Sequence, residues 1–277
     1  MVRNAIKTEL FDNIKGRRKP INGMRVYNEI PNWYYDLKTP EINFEDILVR
    51  SQKYSSVSKT ITSQAFQSAC TTLKETLDPD LKGLFNGVHI PFICPQSVAE
   101  NDLGTELEKI AIPSVSVSFK SEYPDLHFKA ILQGSSTRLS GKLSIAENSR
   151  YDIFLNAHNK GTVAGWYFPQ ALQEYDIESQ RKQMESLPLQ DGLVLSGGID
   201  TATALIGTPG LLINKDTYPP ILCLSALKHE DDKLMLCFKA YGHHLEFWCM
   251  SQMLTPEITQ VSEQWTGGLT LFAPIIG

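Results

Sequence analysis

The chain of 277 residues is 42% hydrophobic and 21% charged with a formal charge of -5, the composition of a folded globular protein whose core needs no disulfide to hold it. That balance excludes the basic footprint of a nucleic-acid-binding protein, and no run approaches the ~18 consecutive apolar residues of a membrane span. The five cysteines, Cys70, Cys94, Cys223, Cys237 and Cys249, are odd in number and set among apolar neighbours, so they read as buried thiols in a reducing compartment.

Residues 1–40 read as an N-terminal arm and 41–277 as one α+β domain. The arm carries the basic run "KGRRKP" (Lys15 to Pro20), expected as a solvated face, and the aromatic group Trp33, Tyr34 and Tyr35, expected to dock the arm on the core. Its opening twenty residues contain acids and no apolar signal core, so a cytoplasmic location is expected.

From Asn43 the pattern is helical. "NFEDILVRSQKY" begins with an N-cap residue and acids in the first turn, and "SQAFQSACTTLKETL" spaces Phe66, Ala69, Cys70, Leu73 and Leu77 by three and four. Short β-like runs follow: "VHIPFICP" (88–95), "SVSVSF" (114–119), "HFKAILQG" (127–134) and "YDIFLNA" (151–157). "PQALQEYDIESQRKQME", opening on Pro169, predicts a helix. Strands return in "PPILCLSAL" (219–227), "DKLMLCFKAYG" (232–242) and "HLEFWCM" (244–250), whose short connectors predict an antiparallel meander. The expected class is α+β: N-terminal helices, then a mixed or mainly antiparallel sheet ending in a β-meander.

One stretch resembles a nucleotide-binding motif. In "GLVLSGGIDTATAL" (Gly192 to Leu205), Ser196, Gly197, Gly198, Asp200 and Thr201 match the SGGxD[ST] loop of the ATP pyrophosphatases, where a parallel strand delivers glycines and helix-start amides to a pyrophosphate. The surroundings favour a plain helix start: Gly207 to Gly210, "GTPG", ends the helix soon after Asp200, and the meander that follows cannot supply parallel strands.

The order of segments from about residue 44 to 250 resembles a bacterial family catalogued as a domain of unknown function. It is carried by "PFIC" (Pro91 to Cys94), "YDIFLNAHNKG" (Tyr151 to Gly161), "FPQAL" (Phe168 to Leu172), "PLQDGLVLSGGIDTATAL" (Pro188 to Leu205), "ILCLSA" (Ile221 to Ala226) and "LEFWC" (Leu245 to Cys249). The resemblance implies a fold shared with cytoplasmic bacterial proteins, a helix start at Gly198 and Ile199, and no activity. Residues 1–40 and the tail after Met250 have no counterpart in it.

Other chemistry is sparse. His244 and Glu246 share one strand face and could ligate a metal with a third group such as His229 or His158, while His243 faces away; strand-edge histidines are the expected reading. No G-x-S-x-G exists, "LQGSS" (132–136) has the wrong spacing, and Cys249 reads as a structural thiol. Asp152, His158 and Asn159 could line a pocket at a strand end. The leading expectation is therefore a cytoplasmic binding or interaction module without a cofactor, leaving a protein partner or self-association open. The alternatives are an adenylating enzyme using the SGGxD[ST] loop with Mg-nucleotide, and a small metal-dependent hydrolase centred on His244 and Glu246.

Overall fold

In the computed structural model, which describes residues 9–21, 23–24, 26–27, 34–98, 102–132, 138–214, 218–242, 244–251 and 262–275, Asn43 caps the first helix as its sequence implies. Its side chain accepts from the Glu45 and Asp46 amides at the start of α1 (Phe44–Tyr54). Thr62 caps α2 (Ser63–Glu75), which buries Phe66, Cys70 and Leu73. Pro79 then opens a 3-10 turn over Pro79–Asn86, and β1 (Ile90–Cys94) follows, buried along its whole length.

The next region departs from expectation. "SVSVSF" lies in α4 (Ile112–Glu122), reached through the short helix α3 (Leu103–Glu106) and a π-helical turn, Leu107–Ala111. Alternation and helical spacing coincide there: Ile112, Val115 and Phe119 form a buried stripe at steps of three and four. Two of the α4 serines bond to helix carbonyls, Ser118 Oγ to Ile206 at 2.8 Å and Ser114 Oγ to Ile110 at 2.8 Å. "YDIFLNA" is likewise helical, in α5 (Tyr151–Lys160), because Tyr151, Phe154 and His158 make its buried stripe.

The helix expected from Pro169 divides in two. β4 (Val163–Gln173) runs through the proline, and α6 (Ile177–Ser186) begins only after the Asp176 cap. Pro169 is tolerated in a central strand because it lies beyond the end of the β1 pairing and within an irregular stretch of β4, where Pro169 to Ala171 face only Gly268 of β10 and the register shifts. Past β2 (His127–Leu132) and β3 (Leu143–Ile145), the remaining elements are β5 (Leu193–Leu195), α7 (Gly198–Gly207), β6 (Ile221–Cys223), β7 (Leu227–His229), β8 (Leu234–Tyr241), β9 (His244–Ser251) and β10 (Trp265–Pro274).

The fold is α+β. An eight-stranded mixed sheet runs β1-β4-β10-β6-β8-β9-β2, with β5 also on β10, and β3 pairs with β7 apart from it. The expected meander is present as the antiparallel neighbours β6, β8 and β9, although "PPILCLSAL" splits between β6 and β7. β10, in the tail that the sequence leaves unassigned, is a central strand buried over most of its length. α7 is buried at all ten of its residues; apart from Asp200 its side chains are apolar or small.

The arm contacts this body closely. Phe11 and Tyr35 are buried, the Arg18 amide donates to the Ala171 carbonyl at 2.8 Å, and Gln170 bridges the Tyr35 carbonyl and the Leu37 amide. "KGRRKP" is not a solvated face: Arg17 and Arg18 are buried, Arg17 pairs with Asp36, and Arg18 reaches Gln183 and the Leu10 carbonyl. Trp33 lies outside the described residues. Among the described residues no helix is long and apolar enough to cross a membrane.

Candidate functional site

The SGGID segment is turned inward. β5, which leads into it, pairs antiparallel with β10 rather than parallel with a neighbour. Its amides are already used: Ser196 donates to the Gly268 carbonyl, Gly197 to Asp200 Oδ1 at 2.9 Å and Ile199 to the Tyr151 hydroxyl at 3.2 Å. A side-chain carbon on Gly197 would fall 2.4 Å from the Tyr151 ring, so that ring fills the space a phosphate would need. Ser196, Asp200 and Thr201 are buried.

Asp200 instead joins a closed network. Tyr151 donates to Oδ1 at 2.9 Å, Thr270 to Oδ2 at 2.5 Å, and Ser196 Oγ lies 2.7 Å from Thr270 Oγ1. Burial pushes the carboxyl above its ordinary value, against the hydrogen bonds from Thr270, Tyr151 and the Gly197 amide that favour the ionised form. Burial and the Asp200 charge raise the Tyr151 phenol well above its usual range, which keeps it a donor. The motif resemblance thus arises from a helix start in which Asp200 caps Gly197, and Ser196, Gly197, Gly198, Asp200 and Thr201 form no phosphate cradle.

His244 and Glu246 do share a face on β9, opposite His127 and Lys129 of β2. Yet the Glu246 carboxylate accepts from Trp248 Nε1 at 2.6 Å and has Lys239 Nζ at 3.7 Å, and that ammonium also lies 3.7 Å over the Trp248 ring. A cation there would meet a lysine. His229 sits on β7 and His158 on α5, and no group of three His, Cys, Asp or Glu among the described residues could hold a metal. His243 lies outside the described residues, as does most of "LQGSS". Cys249 is buried and its thiol is pushed up to about 11 by that burial, which leaves it unreactive.

A different constellation is assembled at the end of β1. Cys94 is the last residue of that strand, and its Sγ lies 3.4 Å from Nδ1 of His158, in the last turn of α5. The other ring nitrogen, Nε2, lies 2.7 Å from Glu106 Oε1 at the end of α3. Thr203 Oγ1, on α7, is 3.5 Å from Sγ but only 2.7 Å from the Ile199 carbonyl, which takes its single proton. Cys94 and His158 are each 1% exposed and Glu106 8%.

Local structure fixes each member. Asp102 caps α3 through the Gly104 and Thr105 amides and accepts from Ser140 Oγ at 2.7 Å and the Gly141 amide; bonds from Thr105 and Ser140 hold its carboxyl well below the usual range. The π turn begins immediately after Glu106, a local widening common at functional sites. Phe154 stacks between Tyr151 and His158 with ring planes at 17° and 19°. Burial alone would lower the His158 value; the contacts with Cys94 and Glu106 outweigh it and raise it to about 10, so the ring is an imidazolium at neutral pH. The end of α5 also favours a cation.

Of the pocket expected from Asp152, His158 and Asn159, only His158 points inward; the other two are exposed. Sequence reasoning missed Glu106 entirely and took Cys94 as packing. Sixty-four residues separate Cys94 and His158, and no local spacing connects them.

No protein-family model matches the chain, and no curated protein or solved structure is similar enough to count as a match. The chemistry of the site rests on its geometry.

Proposed function

We propose that the protein is an acyl-transfer enzyme of the cysteine-nucleophile class, with Cys94 as nucleophile, His158 as proton carrier and Glu106 as the group that orients it. One observation carries the reading: the continuous contact from Sγ through Nδ1 and Nε2 to Oε1, at 3.4 and 2.7 Å. A nucleophile, a base and a carboxylate fixing the base are the parts such chemistry requires. Desolvating an imidazolium and a carboxylate costs about several kcal/mol, and apolar side chains of similar volume would avoid it. Such a cluster in a core therefore favours chemistry over packing.

In the proposed cycle Nδ1 of the His158 imidazolium holds the proton while Sγ, as its thiolate partner, attacks an acyl carbon. The leaving group departs with the proton from Nδ1, and water, losing a proton to the same nitrogen, releases the acyl group and restores the thiolate–imidazolium pair. Glu106 accepts from Nε2 throughout. With Cys94 1% exposed, a donor reaches it only when the side chains around the end of β1 part. The same proposal places the protein in a reducing cytoplasm, supported by five free cysteines, and in a bacterial family of the segment order described above.

The test is hydrolysis of an aryl ester, a thioester and a set of peptide amides by the full chain. At least one should turn over, with Cys94→Ala and His158→Gln each slower by roughly 100-fold or more. Equal rates in Cys94→Ala, or only background hydrolysis of every donor, would rule the reading out.

A second reading, action through a protein partner, is supported by β2. Among the described residues it pairs with β9 alone, and its side chains are exposed or half-buried, so its free edge can accept an added strand. Size-exclusion chromatography tests the self-association version: a concentration-dependent dimer supports it, and a monomer at every concentration contradicts it.

A further inference from the structure

Two cysteines are brought together in a core cluster separate from the one that holds Cys94. Cys223 of β6 and Cys237 of β8 are direct cross-strand partners in an antiparallel ladder. The next pair along, Leu224 and Leu236, is hydrogen-bonded through the Leu224 amide at 2.9 Å. Bonded and non-bonded pairs alternate in such a ladder, which makes Cys223 and Cys237 a non-bonded pair with Cα atoms about 4.5 Å apart and side chains at their closest approach. That spacing lies within the roughly 4.4–6.8 Å that a disulfide spans. Directly opposite residues also share a face, so no strand need rotate.

The remaining cysteines are placed differently. Cys249 lies opposite Leu236, so its side chain is on the other face from Cys237. Cys70 packs in the main core, and Cys94 is engaged by His158. Cys223 and Cys237 belong instead to a small apolar cluster with Ile177, Met235 and Trp265.

We propose that Cys223 and Cys237 form a dithiol that closes to a cross-strand disulfide, with low-molecular-weight disulfides of the glutathione class as its oxidant. One protein thiolate attacks the small disulfide, forming a mixed disulfide and releasing one small thiolate. The second cysteine then attacks the protein sulfur of that mixed disulfide and releases the other. Two protein S–H groups are lost, one S–S bond forms, and the small disulfide is reduced to two thiols. The cover of Ile177 and Trp265 makes this exchange slow in the closed protein, because the attacking thiolate is scarce while buried. It runs through local opening of that cluster, and the product ties β6 to β8. This inference does not depend on the role of Cys94.

The experiment equilibrates the full chain in glutathione buffers of rising oxidised fraction, at urea concentrations just below the unfolding transition, then alkylates and maps the cysteines by mass spectrometry. The fully unfolded chain is the control, because there Cys249 is nearer to Cys237 along the sequence than Cys223 is. The folded protein should yield one dominant bond, Cys223 to Cys237, reversed by reductant, absent in Cys237→Ala and retained in Cys94→Ala. Five alkylated cysteines at the most oxidising buffer, glutathione adducts without a closed bond, or a bond joining another pair would overturn the inference.

Discussion

Asp200 and Thr203 lie one turn apart on the buried helix α7, and each contacts a polar cluster of a different kind. Around Asp200, Tyr151, Thr270 and the Gly197 amide all donate to one carboxylate, and the hydroxyl of Ser196 closes the network. Beside Thr203, a thiol, an imidazole and a carboxylate are in series, each able to pass a proton along. The first cluster is saturated, so its worth is conformational: it fixes the helix start against β10. The second keeps a nucleophile next to a protonated ring, an arrangement that invites reaction. Burial alone does not separate structural from chemical polar groups; the order of donors and acceptors does.

Substitutions should divide along the same line. Asp200→Ala strands three donors in a closed core and should cost about 3–5 kcal/mol in urea unfolding, while leaving Cys94 acylation per folded molecule unchanged. An equal loss on replacing Cys94 with Ala would erase the distinction.

The pH dependence of folding sharpens it. The folded state raises His158 from near 6.5 to about 10, holding the proton more tightly than the unfolded chain does. Its contribution is fully present below about pH 6.5 and is lost as pH rises through about 10. At about 1.4 kcal/mol per pH unit the loss is on the order of 5 kcal/mol across that window. His158→Gln should flatten this part of a stability-against-pH curve; an unchanged slope would place the proton elsewhere.

Gly197→Ala should destabilise by about 1–3 kcal/mol through overpacking against Tyr151, an effect that thermal unfolding would register. Asn43→Ala, remote from both clusters, should cost about 1 kcal/mol as a lost N-cap with acyl-transfer rates intact. A rate loss there would mean that the assay reads global stability rather than the site.

Features that depend on near neighbours were legible in the sequence. Asn43 and the stripe of Phe66, Cys70 and Leu73 announced two helices, and the short connectors announced the meander. Where two periods coincide, the sequence was ambiguous: "SVSVSF" satisfies alternation and a three-four stripe at once, and the π turn and helix feeding it decided the outcome. Pro169 looked like a helix start because the register shift that accommodates it is set by pairing with β10, about a hundred residues away. Arg17 and Arg18 looked solvated because their partners, Asp36 and Gln183, are supplied by tertiary contact. The site was the least legible part. SGGID carried a local signature that proved to be a capped helix start, whereas Cys94, Glu106 and His158 come from a strand end, a four-residue helix and a helix's last turn with no shared motif.

Trapping the covalent intermediate tests the central claim most directly. The full chain would be exposed to an activated aryl acetate, quenched in acid within seconds, and digested for mass spectrometry. The account predicts one acetyl group per chain, on Cys94, with its yield cut sharply by His158→Gln. Acetylation confined to lysines, or spread over the five cysteines alike, would contradict it.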